Sequence, residues 1–272
     1  MSDAGRIPAV ISIAGSDSGG GAGIQGDLKA FARCGVHGMT AITAITAQST
    51  VGVDSIHAVP PEMVIAQVRA VAEDIGIDAV KTGMLGDART IEAVVEALGY
   101  AGDAPVVVDP VLVAESGAVL LEPGARAVLI ERLLPRATVA TPNVPEACEL
   151  AGLGEDASQE DLARAVHALG PRAVVVTGGH TEDGADVLYD GASGGEAIRI
   201  EGPRHPGGSS HGSGCTHSSS LAALLARGES VEEAARHAKE ITSGAVEAGL
   251  RDIGEGPGPV DVFGLPRGTS AG

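Results

Sequence analysis

The sequence predicts an α/β fold in which mostly parallel strands are linked by helices. Two observations carry this. Apolar runs alternate with helical periodicities along almost the whole chain, and the uninterrupted valine runs at 106–108 and 174–176 suit strands buried on both faces. With 272 residues and neither an evident linker nor an internal repeat, a single domain over 1–272 is expected, with flexible ends at 1–7 and 265–272.

The elements follow in order. Residues 8–14 read as a buried strand, and 22–35 as a helix with Ile24, Leu28 and Phe31 on one face. A strand over 37–48 and a short strand or edge over 54–60 precede a helix from 61 to 73, whose start Pro60 and Pro61 mark. The strand 78–84 leads into the helix 88–98. The alternation continues with a strand at 106–110, a helix at 122–133, a strand at 137–143, helices at 144–151 and 158–169, and a strand at 173–179. Residues 185–191 and 196–202 then suggest a hairpin at a sheet edge. The helices 214–227 and 230–248 and a Gly/Pro-rich tail from Gly254 complete the chain.

Composition excludes several functions. Acidic residues outnumber basic ones by 36 to 18, a net charge of −18, and Lys29, Lys81 and Lys239 are the complete lysine set. Such a chain repels nucleic acid and anionic lipid, and with aromatics at 1% it lacks stacking platforms for bases. The acidity suits either a protein of high-salt cytoplasm or simply an acidic soluble enzyme. Cys34, Cys148 and Cys215 are widely spaced and odd in number, which fits a reducing compartment. No apolar run approaches the ~18 residues of a membrane span, and the N-terminal run lacks the flanks of a secretory signal. A soluble cytoplasmic protein is expected.

Ligands of open α/β sheets lie beyond the carboxyl ends of the strands, where unusual residues cluster here. The stretch AGSDSGGGAGIQGD at 14–27 follows the first strand and opens a helix. Its glycines permit close backbone approach to an anion, or serve only a tight turn, and they fit neither the dinucleotide nor the Walker pattern. In TPNVPEACEL at 141–150, Asn143 and Glu146 stand three apart at a helix start. They suit Mg²⁺ held through water, and equally a cap in which each side chain bonds the other's backbone. Asp109 ends a triple-valine strand. Cys215, in HGSGCTHSSS, follows Gly212 and Gly214 at a helix N-terminus. That setting favours an anion hole and a thiolate, while a small buried residue is the alternative.

AGSDSGGGAGIQGDLKAF, TAITAQSTVGV, KTGML, DPVLVAESG, TPNVPEA, GGH and HGSGCTHSSSLAA occur in an order that resembles the hydroxymethylpyrimidine/phosphomethylpyrimidine kinases of thiamine biosynthesis, within the ribokinase-like superfamily. The resemblance runs from about Pro8 to Pro259. It implies a ribokinase-like three-layer sandwich, a central mostly parallel sheet flanked by helices, and two successive ATP-dependent phosphorylations of 4-amino-5-hydroxymethyl-2-methylpyrimidine. It also implies that Asp27 and Gln48 hold the pyrimidine, with Gly15, Ala22 and Met84 lining its pocket. Asp109, Asn143 and Glu146 fall at the magnesium and triphosphate region, with Asp109 and Glu146 toward the metal. Asn143, Thr177, Gly179, Gly212 and Ser213 fall toward the nucleotide phosphates. Gly212 and Gly214 correspond to the anion hole, and Cys215 to the catalytic cysteine that takes the hydroxyl proton. Mg²⁺, ATP and the pyrimidine are the implied cofactor and substrates, and a homodimer is expected.

One departure stands out. Where the family carries a phosphate-contacting lysine before Gly-Gly-His, this chain has Thr177, which brings no charge. His180, His211, His217 or Arg204 could compensate, and His217 stands where the family has an apolar residue. Two alternatives to the pyrimidine kinase follow: a pyridoxal or pyridoxine kinase of the same superfamily, and a weakly active pyrimidine-binding regulatory protein.

Overall fold

Alternate residues of the buried strands feed two different cores. Ile11, Ile13, Val106, Val108, Val174 and Val176 join one apolar cluster, while Val10, Val107, Ala173 and Val175 join another. This is the period-two pattern of a sheet covered on both faces. The computed structural model describes residues 5–114, 117–179, 181, 183–192 and 194–266. His180 and most of the two ends for which flexibility is expected (1–4 and 267–272) lie outside the described residues.

The elements are β1 Ala9–Ala14, α1 Gly23–Arg33, β2 His37–Ile42, β3 Ala44–Gln48, β4 Val53–Ala58, α2 Pro61–Asp74, β5 Ala79–Thr82, α3 Ala88–Ala97, β6 Val106–Val108, α4 Ala125–Val128, β7 Val139–Ala140, α5 Val144–Ala151, α6 Gln159–His167, β8 Ala173–Val176, β9 Asp186–Asp190, β10 Ala197–Ile200, α7 Ser213–Ala226 and α8 Val231–Glu247. Eight strands form one sheet in the order β10-β9-β8-β7-β6-β5-β1-β2. It is parallel from β2 to β8, and β9 and β10 add an antiparallel hairpin at one edge. Helices α2 to α6 supply the first cluster, and α1, α7 and α8 the second. The expected flanked, mostly parallel sheet is what the chain builds.

Three elements differ from expectation. The strand expected over 37–48 is two: the chain turns at Thr43, and β3 leaves the main sheet to pair antiparallel with β4. Thr43 causes the break, donating its N–H to Ala14 O at 3.0 Å and its hydroxyl to Met84 O at 2.8 Å. The helix expected over 122–133 is regular only in α4, widens over Leu129–Leu133 and tightens over Leu134–Arg136. Pro135 has no N–H to continue the α-helical ladder. Finally, β7 is two residues long, because Pro142 cannot extend it and Asn143 already caps α5.

Candidate active site

The loop between β1 and α1 is organised by a residue that the motif analysis passed over. The Asp17 carboxylate accepts the N–H groups of Gly19, Gly21 and Ala22 at 2.8, 3.0 and 2.8 Å, and lies 2.9 Å from His211 Nε2. Burial pushes its pKa up, but His211 and the Ala22 and Gly19 amides outweigh burial and hold it below the usual carboxylate value. Amides that the glycine run offered to a ligand are therefore occupied by Asp17. Gly212, at φ +86°, passes so close that a Cβ there would lie 1.8 Å from Gly21 O. The two loops are thus locked together at the start of α7.

Beneath α7 lies a buried polar cluster drawn from four elements and a strand end. Ser12 of β1, Lys81 of β5 and Asp109 just after β6 share the strand parity of Val10, Ala79 and Val107, so they face α1 and α7. Lys81 Nζ donates to Asp27 Oδ1 at 2.8 Å and lies 3.8 Å from Asp109 Oδ2. Ser219 donates to Asp27 at 2.8 Å, Ser12 also donates to Asp27, and Ser218 donates to Asp109 at 2.9 Å. Burial works against the Lys81 charge, yet Asp27, Cys215 and Asp109 outweigh it and hold the ammonium above its usual pKa. Burial raises Asp109, against the pull of Lys81 and Ser218. Asp27, the residue implied to hold the pyrimidine, is fully buried, and its carboxylate is already engaged by Ser12, Lys81 and Ser219.

Cys215 stands on this cluster as the third residue of α7 after the Gly212 cap, half-buried, with Gly26 of α1 packed toward its Cβ. The helix N-terminus predicts a lowered thiol pKa; the structure reverses that sign. Burial pushes the thiol up to about 12, Asp27 and Asp109 add to the rise, and Lys81 and the Gly23 amide only partly offset it. The resting group is a thiol. Both charges responsible are remote in sequence and become neighbours only through the fold.

Asn143 and Glu146 form the reciprocal cap. Asn143 Oδ1 accepts the Glu146 N–H at 2.9 Å, and Glu146 Oε2 accepts the Asn143 N–H at 3.0 Å. Burial, then repulsion from Asp109, pushes Glu146 up to about 8. The cap and a cation site are not exclusive here: two buried carboxylates that repel one another are a setting a hard cation relieves.

A cavity of about 320 Å³ opens beside these residues, lined by Asn143, Thr177, Gly179, Ser213 and Gly214 among others. Asn143, Thr177, Gly179 and Ser213 were expected toward the nucleotide phosphates and Gly214 at the anion hole, whereas Gly212, expected at both, does not line this cavity. Thr177 bridges to Asn143 at the ends of β8 and β7. Arg204 and His217 also line the cavity, whereas His211 is engaged by Asp17. Of the residues implied to hold the pyrimidine, Gly15 lies against the Met84 side chain, Gln48 is bonded through its backbone to Ser18, and Ala22 caps α1. Motif reading missed Asp17, Lys81, Ser218, Ser219, Asp186 and Lys239. A signal existed for Lys81, since a lysine inside a strand read as buried demands a counter-ion.

The flanked parallel sheet, with its site at the strand ends under the N-terminus of a late helix, defines a ribokinase-like phosphotransferase. Comparison with known proteins narrows the class. The phosphomethylpyrimidine kinase family model matches residues 17–261. A hydroxymethylpyrimidine/phosphomethylpyrimidine kinase from Streptomyces coelicolor is 48% identical over 93% of this chain and 94% of its own length. Among solved structures, a phosphomethylpyrimidine kinase from Clostridium difficile 630 is 37% identical, with a TM-score of 0.76 over 89% of this chain and 100% of its own. A pyridoxal kinase from Staphylococcus aureus, solved with ADP, is 36% identical, with a TM-score of 0.85 over 95% of this chain and 94% of its own. The chain belongs to the phosphomethylpyrimidine kinase family.

Proposed function

We propose that this phosphotransferase uses ATP to phosphorylate 4-amino-5-hydroxymethyl-2-methylpyrimidine and then its monophosphate, giving the diphosphate for thiamine biosynthesis. One observation carries the reading: Asn143, Thr177, Gly179, Ser213 and Gly214 line one cavity that reaches the start of α7, where Cys215 follows directly. ATP occupies this cavity. The pyrimidine lies on the other side of Cys215, by Gly15, Ala22, Gln48 and Met84, with Asp27 supporting the site from below.

In this account the Gly212–Gly214 backbone meets charge on the transferred phosphoryl group, since phosphoryl transfer depends mainly on positioning and charge neutralisation. Cys215 releases its own thiol proton to solvent, a step that the Lys81 ammonium favours, and the resulting thiolate takes the hydroxyl proton as the oxygen attacks phosphorus. Asp109 and Glu146 fit Mg²⁺, because both supply oxygen and their mutual repulsion would be relieved. Among the described residues no third His, Cys, Asp or Glu joins them, so water and phosphate oxygens would complete the shell. Bound Mg²⁺ supplies charge neutralisation of the triphosphate.

The remainder of the proposal is a single catalytic domain acting in the cytoplasm as a homodimer, with the β9–β10 hairpin as cover or contact edge. A high-salt setting belongs to it as well, with the net charge of −18 as its support: on that reading the melting temperature rises from dilute to molar KCl, and a flat or falling series leaves an ordinary acidic enzyme. Pyridoxal is the alternative acceptor, because a pyridoxal kinase of the same superfamily shares this fold with a TM-score of 0.85. A coupled ADP-release assay with the pyrimidine, its monophosphate and pyridoxal separates these readings. Turnover of pyridoxal alone sinks the first, and pyrimidine binding without ADP release makes the chain a binding protein.

A further inference from the structure

The cavity at the start of α7 contains a buried side chain whose hydrogen-bonding capacity is unused. His217 is 3% exposed and lines the cavity, and neither of its ring nitrogens makes a hydrogen bond among the described residues. Its Nε2 lies 3.4 Å from Asp186 Oδ2, an ion-pair distance. Asp186 is otherwise committed: Oδ1 accepts from Lys239 Nζ at 2.7 Å and from the Gly178 N–H at 2.9 Å, while Lys239 also donates to Gly184 O at 2.6 Å. Asp186 thus ties His217 of α7 and Lys239 of α8 to the residue that follows Thr177.

An unpaired ring nitrogen buried in a polar cavity costs free energy unless a ligand completes it. With Nε2 turned to a carboxylate, Nδ1 can donate to an anion only when the ring is an imidazolium. The groups acting on it are Asp186 of β9, Lys239 of α8 and, at longer range, Asp109 after β6, with Arg204 and His205 on the same cavity wall. Lys239 balances the Asp186 carboxylate, and His217, with its Nδ1 unpartnered among the described residues, stands beside this pair on the cavity wall. A phosphate oxygen is the ligand this arrangement suits.

We propose that His217 binds a terminal phosphate oxygen of the nucleoside triphosphate through Nδ1–H, held in place by Asp186 and Lys239, and so supplies the cationic contact that Thr177 lacks. The proposal rests on the reading of this cavity as the nucleotide side.

The test measures binding of the non-hydrolysable analogue AMP-PCP with Mg²⁺ by calorimetry, and steady-state kinetics, for the wild type, His217→Leu, His217→Gln and His217→Leu/Thr177→Lys. Loss of a charge-assisted bond predicts a Kd for the analogue and a KM for ATP that rise about tenfold to a hundredfold in His217→Leu, while the pyrimidine KM holds. His217→Gln, with a neutral donor, should fall between. Adding Thr177→Lys should restore most of the nucleotide affinity. Unchanged nucleotide affinity in both single variants overturns the proposal, as does an equal loss of nucleotide and pyrimidine affinity that Thr177→Lys does not repair. If His217→Leu fails to fold, the Gln variant decides alone, with wild-type nucleotide affinity as the contrary result. A wild type that binds AMP-PCP yet ignores pyrimidines would sink the proposed function and leave this inference standing.

Discussion

Lys81 Nζ sits 2.8 Å from Asp27 Oδ1, and neither side chain has solvent exposure. This pair joins β5 to α1 across 54 residues of sequence and forms the floor on which Cys215 stands. Breaking one partner leaves the other charge buried alone, which costs about 3–5 kcal/mol, whereas removing both with apolar residues is far better tolerated. Lys81→Met should therefore unfold at markedly lower urea than Lys81→Met/Asp27→Leu. Equal midpoints for the two variants would show that the pair does not couple.

Cys215 governs the pH dependence. Because its thiol is held at about 12, the thiolate fraction grows roughly tenfold per pH unit through the neutral range. The sign is a rate that rises with pH: log kcat/KM for the pyrimidine should climb with a slope near one from about pH 7 to 9. Cys215→Ala should lose orders of magnitude in turnover, keep its pyrimidine affinity and lose this slope. A flat wild-type profile would mean that the sulfur acts as a thiol and does not accept the proton.

Glu146 gives a stability prediction of opposite character. Its folded pKa of about 8 exceeds the ordinary 4.5, so its contribution is intact below about 4.5 and is lost as pH rises through 8. Glu146→Gln removes that titration. The variant should gain on the wild type between pH 5 and 8 and hold a lead of at least about 1 kcal/mol above it, roughly 2 °C or more in Tm for a domain this size. Mg²⁺-dependent turnover should fall in the same variant. Parallel Tm curves across that range would contradict the account.

The glycines of the α7 turn separate folding from ligand approach. Gly212→Ala places a Cβ 1.8 Å from Gly21 O at φ +86°, which should cost at least about 2 kcal/mol and separate the two loops. A Cβ on Gly214 meets nothing within 4 Å, and Ala in a helix is favoured over Gly by about 0.5–1 kcal/mol. Gly214→Ala should thus keep or raise Tm while raising the ATP KM, because the added methyl enters the cavity where the phosphates approach. Thermal unfolding alongside ATP titration checks both, and a Gly214→Ala enzyme with wild-type ATP kinetics would remove that residue from the nucleotide site.

Local pattern carried much of the fold. The valine runs announced doubly covered strands, and the three-residue spacing of Asn143 and Glu146 announced a helix mouth whose cap the structure contains. Patterning could not reveal the turn at Thr43, which depends on bonds to Ala14 and Met84 from other elements. It could not give the sign of the Cys215 shift either, since a helix N-terminus is visible in sequence but the burial of the thiol and its approach to the carboxylates of Asp27 and Asp109 arise only on folding. The same holds for His217 and Lys239, which meet through Asp186 although the sequence places them on separate helices.

The central claim is two successive phosphoryl transfers at one site, and the most direct measurement is a ³¹P NMR time course of the enzyme with ATP, Mg²⁺ and 4-amino-5-hydroxymethyl-2-methylpyrimidine. The account predicts a phosphomonoester resonance that rises and then gives way to the paired resonances of a diphosphate ester, both absent with Cys215→Ala. A monoester that accumulates without conversion, or phosphorylation seen only when pyridoxal replaces the pyrimidine, would contradict it.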